Sequence, residues 1–177
     1  WYSTDTSNWG LLETGAYCHV NNDPLADPLA GKNYHGLTFL DGRGLCPEGW
    51  HSPSGDEFVQ LFNHLGFIPS VGSEFYGPEV LDQLLLSGSN TSGFSVVLAG
   101  AQHDVLADGP RYWKADATVF GTSTIYSIWP SNPLYAYPGV LMDQLALTET
   151  PYDNFSTEVY RGGYWAWHTL SCRCVKD

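Results

Sequence analysis

The sequence is poor in positive charge. Seven Lys and Arg stand against nineteen Asp and Glu, a formal net charge of −12 over 177 residues. A protein that holds nucleic acid through its phosphates needs a basic surface, so that class is excluded. Docking on an anionic membrane surface fails on the same sign. No apolar run approaches the roughly 18 residues of a membrane-spanning helix, so no membrane insertion is expected. Charged residues are scarce too, at 15%, while hydrophobic ones reach 43%, which argues against disorder. Catalytic signatures are missing: no P-loop, G-x-G-x-x-G, H-E-x-x-H or G-x-S-x-G occurs. His19, His35, His51, His64, His103 and His168 are scattered. His51, next to Trp50 and just before a helix, reads as a structural hydrogen-bonding residue. No enzyme activity is expected. A basic-then-apolar leader is also missing and the sequence opens at Trp1, as expected of a processed chain or a piece of a longer one.

Aromatic residues are plentiful at 15%, with 7 Trp and 11 Tyr, and so are Gly (19) and Pro (11). That composition suits an extracellular, loop-rich binding protein. The length suits one domain over 1–177, with 1–14 as a lead-in. A chain of this size hides roughly 70% of its unfolded surface and needs no metal to build a core.

The clearest element is a helix over about 56–64. Ser54 is a good N-cap and Glu57 completes a capping box. Phe58, Leu61, Phe62 and Leu65 recur on one face, and Gly66 stands where a terminating glycine belongs. A second helix is predicted from Pro78, with Val80, Leu81, Leu84 and Leu85 as its apolar stripe. The piece 37–40 fits a strand or a short helix. From 94 onward the texture predicts short strands at 94–98, 117–120, 135–137 and 140–142, separated by long loops. A last strand is expected within 165–175, with Leu170, Cys172 and Cys174 on one face and Ser171 and Arg173 on the other. Two helices followed by strands make the class α+β.

Cys172 and Cys174 are too close on one strand face to bond each other easily, so each needs a partner from Cys18 and Cys46. Two long-range disulfides are favoured over a metal site, because Cys172-Arg173-Cys174 is tighter than the usual zinc-ligand spacing. Asn21, Asn22, Asp23 and Asp27 offer oxygen ligands of the calcium type, but at the wrong spacing, and a solvated turn is the simpler reading. No cofactor is expected, with calcium the one ion kept in view. Asn90-Thr91-Ser92 and Asn154-Phe155-Ser156 match the N-glycosylation pattern, which chance also produces often.

The richest signal is a window of Tyr and Trp near the C-terminus. Tyr126, Trp129, Tyr135, Tyr160, Tyr164 and Trp165 are interspersed with Asn132, Asn154 and Arg161. These nine are the candidate ligand-binding residues. Aromatic rings give large contact areas at low entropic cost, and Asn and Arg supply adaptable hydrogen bonds. Tyr137 and Trp167 are the candidates for burial.

The residues then resemble a known family. Gly44-Leu45-Cys46-Pro47-Glu48-Gly49-Trp50-His51-Ser52-Pro53-Ser54 precedes the amphipathic helix, Asn90-Thr91-Ser92-Gly93-Phe94-Ser95 follows the second helix, and Ser171-Cys172-Arg173-Cys174-Val175-Lys176-Asp177 closes the sequence. Together, from about Gly15 on, they resemble the Fibrobacter succinogenes major paralogous domain family, known from secreted and surface proteins of Bacteroidetes-type bacteria and their phages. The resemblance implies a C-type-lectin-like fold, with two helices packed on small antiparallel sheets with long loops. It implies a Cys46–Cys174 disulfide; the sequence departs from the family pattern at Cys172, where an apolar residue is typical, and in lacking a second cysteine in the stretch after Cys18, and a Cys18–Cys172 bond would account for both.

Relatives with this fold serve as variable receptor-binding proteins of diversity-generating retroelements, in which a C-terminal window is hypermutated. The matching window here is 120–170. The calcium-binding sugar triplets of animal lectins are absent. The resulting expectation is an adhesin-like, non-catalytic recognition module, secreted, on a cell surface or exposed on a virion. It would bind a glycan or a cell-surface protein through C-terminal aromatic loops. A structural subunit of a filament, appendage or virion is the alternative, and homo-oligomers are left open.

Overall fold

The computed structural model describes residues 12, 14–20, 23–25, 28, 30–67, 75–76, 78–104, 111–114, 117–129, 139–148, 158–165 and 168–177. Strands β1 (Tyr17–His19) and β2 (Lys32–His35) come first. The ambiguous piece 37–40 is helical, inside a 3-10 helix over Gly36–Leu40 that His35 caps through its side chain. Asp23 is exposed and its carboxylate accepts from Leu25 N–H at 2.9 Å, a turn as expected; Asn21, Asn22 and Asp27 lie outside the described residues.

Strand β3 (Trp50–His51) leads into helix α1 (Gly55–His64). The capping box forms in full: Ser54 Oγ accepts from Glu57 N–H, and the Glu57 carboxylate accepts from Ser54 N–H at 2.8 Å. A further orphan donor at the helix start, Gly55 N–H, reaches Thr124 Oγ1 at 3.1 Å. At the other end Gly66 takes φ +81°, with Gly66 N–H on Asn63 O and Phe67 N–H on Phe62 O. That pair of bonds is a Schellman termination, which favours glycine at the left-handed residue.

Strand β4 (Phe75–Tyr76) precedes helix α2 (Pro78–Leu84). The run 94–98 is not a strand. It makes one isolated bridge, Leu85 with Val96, in which Val96 N–H takes Leu84 O and Leu86 N–H takes Val96 O, both at 2.8 Å. Both backbone bonds of Val96 are thus spent on Leu84 and Leu86, at and just past the end of α2. The loop between is tied by Asn90, whose amide gives to Ser95 Oγ and accepts from Ser95 N–H, each at 3.0 Å. A sugar on that nitrogen would disturb this tie.

Strands β5 (Ala101–Asp104) and β6 (Arg111–Lys114) pair with each other. Then come β7 (Ala117–Trp129), β8 (Gly139–Thr148), β9 (Glu158–Trp165), β10 (Thr169–Ser171) and β11 (Val175–Lys176). The expected pieces 117–120 and 140–142 are parts of much longer strands. The expected end of the strand at Phe120 does not occur, because pairing with β8 continues past register shifts between Gly121 and Ser127. The single strand expected within 165–175 is three pieces instead, and 135–137 lies outside the described residues.

Among the described residues the main sheet has seven strands in the order β1-β2-β10-β7-β8-β9-β4, and β3–β11 and β5–β6 form two-stranded sheets. The main sheet is larger than expected and mixed: β10 and β7 run parallel, with Ser171 beside Phe120, and its other pairs are antiparallel. The α+β class stands.

Strand β7 separates two apolar clusters. On one face Phe120 packs with Phe58, Phe62 and Phe67 and with Val80, Leu81, Leu84, Leu85 and Val96. Phe62 is 1% exposed, whereas Leu61 and Leu65 only flank this cluster. On the other face Val119 joins Phe39, Leu170, Tyr34, Leu45 and Cys172. Adjacent strand residues face opposite ways, so one strand serves both clusters. Gly121 leaves room for Phe39: a Cβ there would lie 2.5 Å from the ring.

Candidate functional site

The family-like segments meet where β11 pairs antiparallel with β3, Val175 opposite His51 and Lys176 opposite Trp50. A disulfide joins Cys46 to Cys174, with Cα atoms 5.8 Å apart. Asp177 N–H bonds Gly49 O at 3.1 Å. His51 adds a polar tie: its Nε2 lies 2.8 Å from Glu57 Oε1 and its Nδ1 lies 2.7 Å from Asp177 Oδ1. The Glu57 contact, and then Asp177, raise the His51 pKa above its ordinary value. Glu57 is held below the ordinary carboxylate value, chiefly by the Ser54 N–H and further by His51. The expectation that His51 is a hydrogen-bonding residue is met.

The third sulfur of this region is Cys172, 3.9 Å from Cys46 Sγ and 3.8 Å from Cys174 Sγ. It carries a thiol, pushed up to about 11 by burial. The expected Cys18–Cys172 bond is therefore a correction: neither residue is disulfide-bonded. Strand pairing gives the reason. Cys18 lies opposite Asn33, and Asn33 lies opposite Ser171. Cys18 is thus two strands from β10, roughly 10 Å, on the face of Ser171. Cys172, one residue on, packs with Leu170 on the opposite face. A disulfide spans no more than about 7 Å between Cα atoms.

Beside this junction a groove of about 470 Å³ runs between α1, the turn at 92–94 and the segment at 173–175. Phe58, Leu61 and Phe94 give it apolar walls, and Glu57 and Arg173 give it one charge of each sign. The Arg173 guanidinium stands 4.9 Å over the Phe94 ring, which in turn meets Phe120 edge-on. This pair is not legible in the sequence. Alternation sets Arg173 apart from its cysteine neighbours, and Phe94 belongs to the middle family-like motif, but no local pattern brings the two together.

The nine candidate ligand residues fall into two groups. Asn132, Tyr135 and Asn154 lie outside the described residues, as do Tyr137 and Trp167. The other six are strand residues and not loop residues, which corrects the window's expected character. Tyr126 lies at a register irregularity of β7, and Trp129 ends that strand opposite Gly139. On β9, Tyr160 pairs with Ala146, Arg161 with Leu145, Tyr164 with Met142 and Trp165 with Leu141. Tyr126, Trp129, Tyr164 and Trp165 therefore share one end of the β7–β8–β9 sheet. Tyr160 and Arg161 sit farther along β9, where β4 is also paired through Phe75 and Tyr160.

The profile of the Fibrobacter succinogenes major domain matches residues 4–176. The chain belongs to that family. No curated protein and no solved structure matches it. The family match begins ahead of Gly15, where the resemblance started. In this family member the first motif builds β3 and the cap of α1. The closing motif supplies the end of β10, two of the three clustered sulfurs, Arg173 of the groove and β11. The middle motif supplies the Asn90–Ser95 tie and Phe94.

Proposed function

We propose that the chain is an extracellular, non-catalytic recognition module of C-type-lectin-like fold, secreted or carried on a cell or virion surface. Its ligand is a glycan or a cell-surface protein, taken by the Tyr- and Trp-rich window between 126 and 165. Membership of the Fibrobacter succinogenes major domain family supports the reading. One structural relationship carries it: the Cys46–Cys174 bond and the β3–β11 pair close a frame that brackets the window in sequence. A frame tied in this way tolerates variation in the window, as a variable receptor-binding protein of a diversity-generating retroelement requires. Within the window, Tyr126, Trp129, Tyr164 and Trp165 gather at one end of the sheet. With no Lys and only Arg161 there, affinity comes from stacking and shape more than from charge steering.

The test is a glycan array and a surface-protein pull-down with wild type, Trp129→Ala and Trp165→Ala. The expected loss in the variants is about 2 kcal/mol or more of binding, at unchanged melting temperature. Unfolding of both variants would make these tryptophans core residues and end the proposal. Filaments of purified wild type under the electron microscope would favour a structural subunit instead.

A further inference from the structure

The Cys46–Cys172–Cys174 cluster has a geometry that neither the disulfide nor the recognition window explains. Cys172 Sγ stands nearly equidistant from the two bonded sulfurs, at 3.9 Å and 3.8 Å. All three sulfurs lie within 4.8 Å of one another. In a tetrahedral zinc–thiolate site with Zn–S near 2.3 Å, neighbouring sulfurs are about 3.8 Å apart. Two of the three edges of such a face are thus already present, and only the bonded pair has to separate. A fourth group stands close by: Ser52 Oγ lies 3.7 Å from Cys46 Sγ. The sulfur–oxygen edge of the same tetrahedron, with Zn–O near 2.1 Å, is roughly 3.6 Å.

We propose that, once the Cys46–Cys174 disulfide is reduced, Cys46, Cys172 and Cys174 bind one zinc ion. Ser52 faces the fourth corner, which its hydroxyl or a water held by it completes. A dithiol reductant supplies the two electrons and two protons that open the S–S bond, and is itself oxidised to its disulfide. Zinc then displaces three thiol protons to give three Zn–S bonds. Cys18, buried on the opposite face of the main sheet, takes no part. The outcome is a junction with two alternative staples. The disulfide closes it under oxidising conditions, and zinc closes it under reducing ones, as inside a cell before export. Cys172 is what adds the second staple, since two thiols alone make a weaker zinc site.

In the sequence alone, the tight Cys172-Arg173-Cys174 spacing speaks against zinc. The fold answers it by bringing in Cys46 from 126 positions away.

The test uses the full chain, reduced with a phosphine that does not compete as a thiol ligand, and titrated with Co2+ and then Zn2+. Wild type should take up one Co2+ per chain, with thiolate-to-cobalt charge transfer and tetrahedral visible bands, and Zn2+ should erase them. Zn2+ should also raise the melting temperature of the reduced chain, because an ion bound to the folded form stabilises it. Cys172→Ser should weaken the ion by on the order of 100-fold or more. Cys18→Ser should bind like wild type. Folding of both variants is checked in the oxidised form, where the disulfide is intact. Absence of the cobalt bands in reduced wild type, equal binding by Cys172→Ser, or loss in Cys18→Ser would each overturn the assignment.

Discussion

His51 Nδ1 lies 2.7 Å from Asp177 Oδ1, across 126 positions of sequence. With Glu57 on its other nitrogen, one imidazole links the first turn of α1 to the segment after β11. This contact makes the junction sensitive to pH. A histidine with a raised pKa contributes stability that is complete below its ordinary value of 6.5 and is lost as pH rises through the raised one. Glu57 works in the other direction: its contribution is present above 4.5 and is lost as pH falls through the lowered value. The stability difference between wild type and His51→Asn should therefore be largest in mildly acidic solution and shrink as pH rises through the raised His51 pKa. A proton NMR titration should place the wild-type His51 pKa above 6.5 and lower it in Glu57→Gln. Gln keeps the capping box, so the helix should survive that change.

Phe62 is the deeper residue of the α1 face, at 1% exposure, with Leu61 on the groove side. Phe62→Ala should cost about 3–5 kcal/mol in chemical denaturation. Leu61→Ala should cost less. Ser54→Ala, which removes a cap and no core, should cost roughly 1–2 kcal/mol.

Gly121 and Phe39 leave each other no spare volume. Ala at 121 would put a Cβ 2.5 Å from the Phe39 ring inside a packed layer. Gly121→Ala should destabilise by about 1–3 kcal/mol through overpacking. Combining it with Phe39→Leu should cost less than the sum of the two single changes, because both draw on the same space. Strict additivity in the melting curves would contradict this packing.

Non-reducing peptide mapping should find one linked pair, Cys46 with Cys174, and should find Cys18 and Cys172 alkylated after denaturation. The bond spans 128 positions, and the chain-entropy model assigns such a loop roughly 5 kcal/mol. Cys46→Ser with Cys174→Ser should lose a large part of that at equilibrium. A linked Cys18–Cys172 peptide would contradict the strand register.

What the sequence determined by itself is what short range decides. The capping box at Ser54 and Glu57, the apolar stripe of α1, the glycine at 66 and the helix start at Pro78 all arise from residues within one or two turns of each other. Their physics is the same in any fold. The family-like motifs were legible for the same reason, as contiguous strings.

Tertiary structure decided the rest through strand pairing. The segment 94–98 has the composition of a strand, but Val96 bonds to Leu84 and Leu86 beside the end of α2, and Ser95 bonds back to Asn90. A short strand is expected over 117–120, yet β7 stays paired with β8 past two register shifts as far as Trp129. Cys18 and Cys172 looked like partners because each lacked one. They are kept apart because β2 lies between their strands and because one residue of register turns a side chain to the opposite face. The sulfur cluster, the groove under Arg173 and the His51–Asp177 contact join residues more than 70 positions apart, and no local pattern encodes which distant strand will arrive beside them.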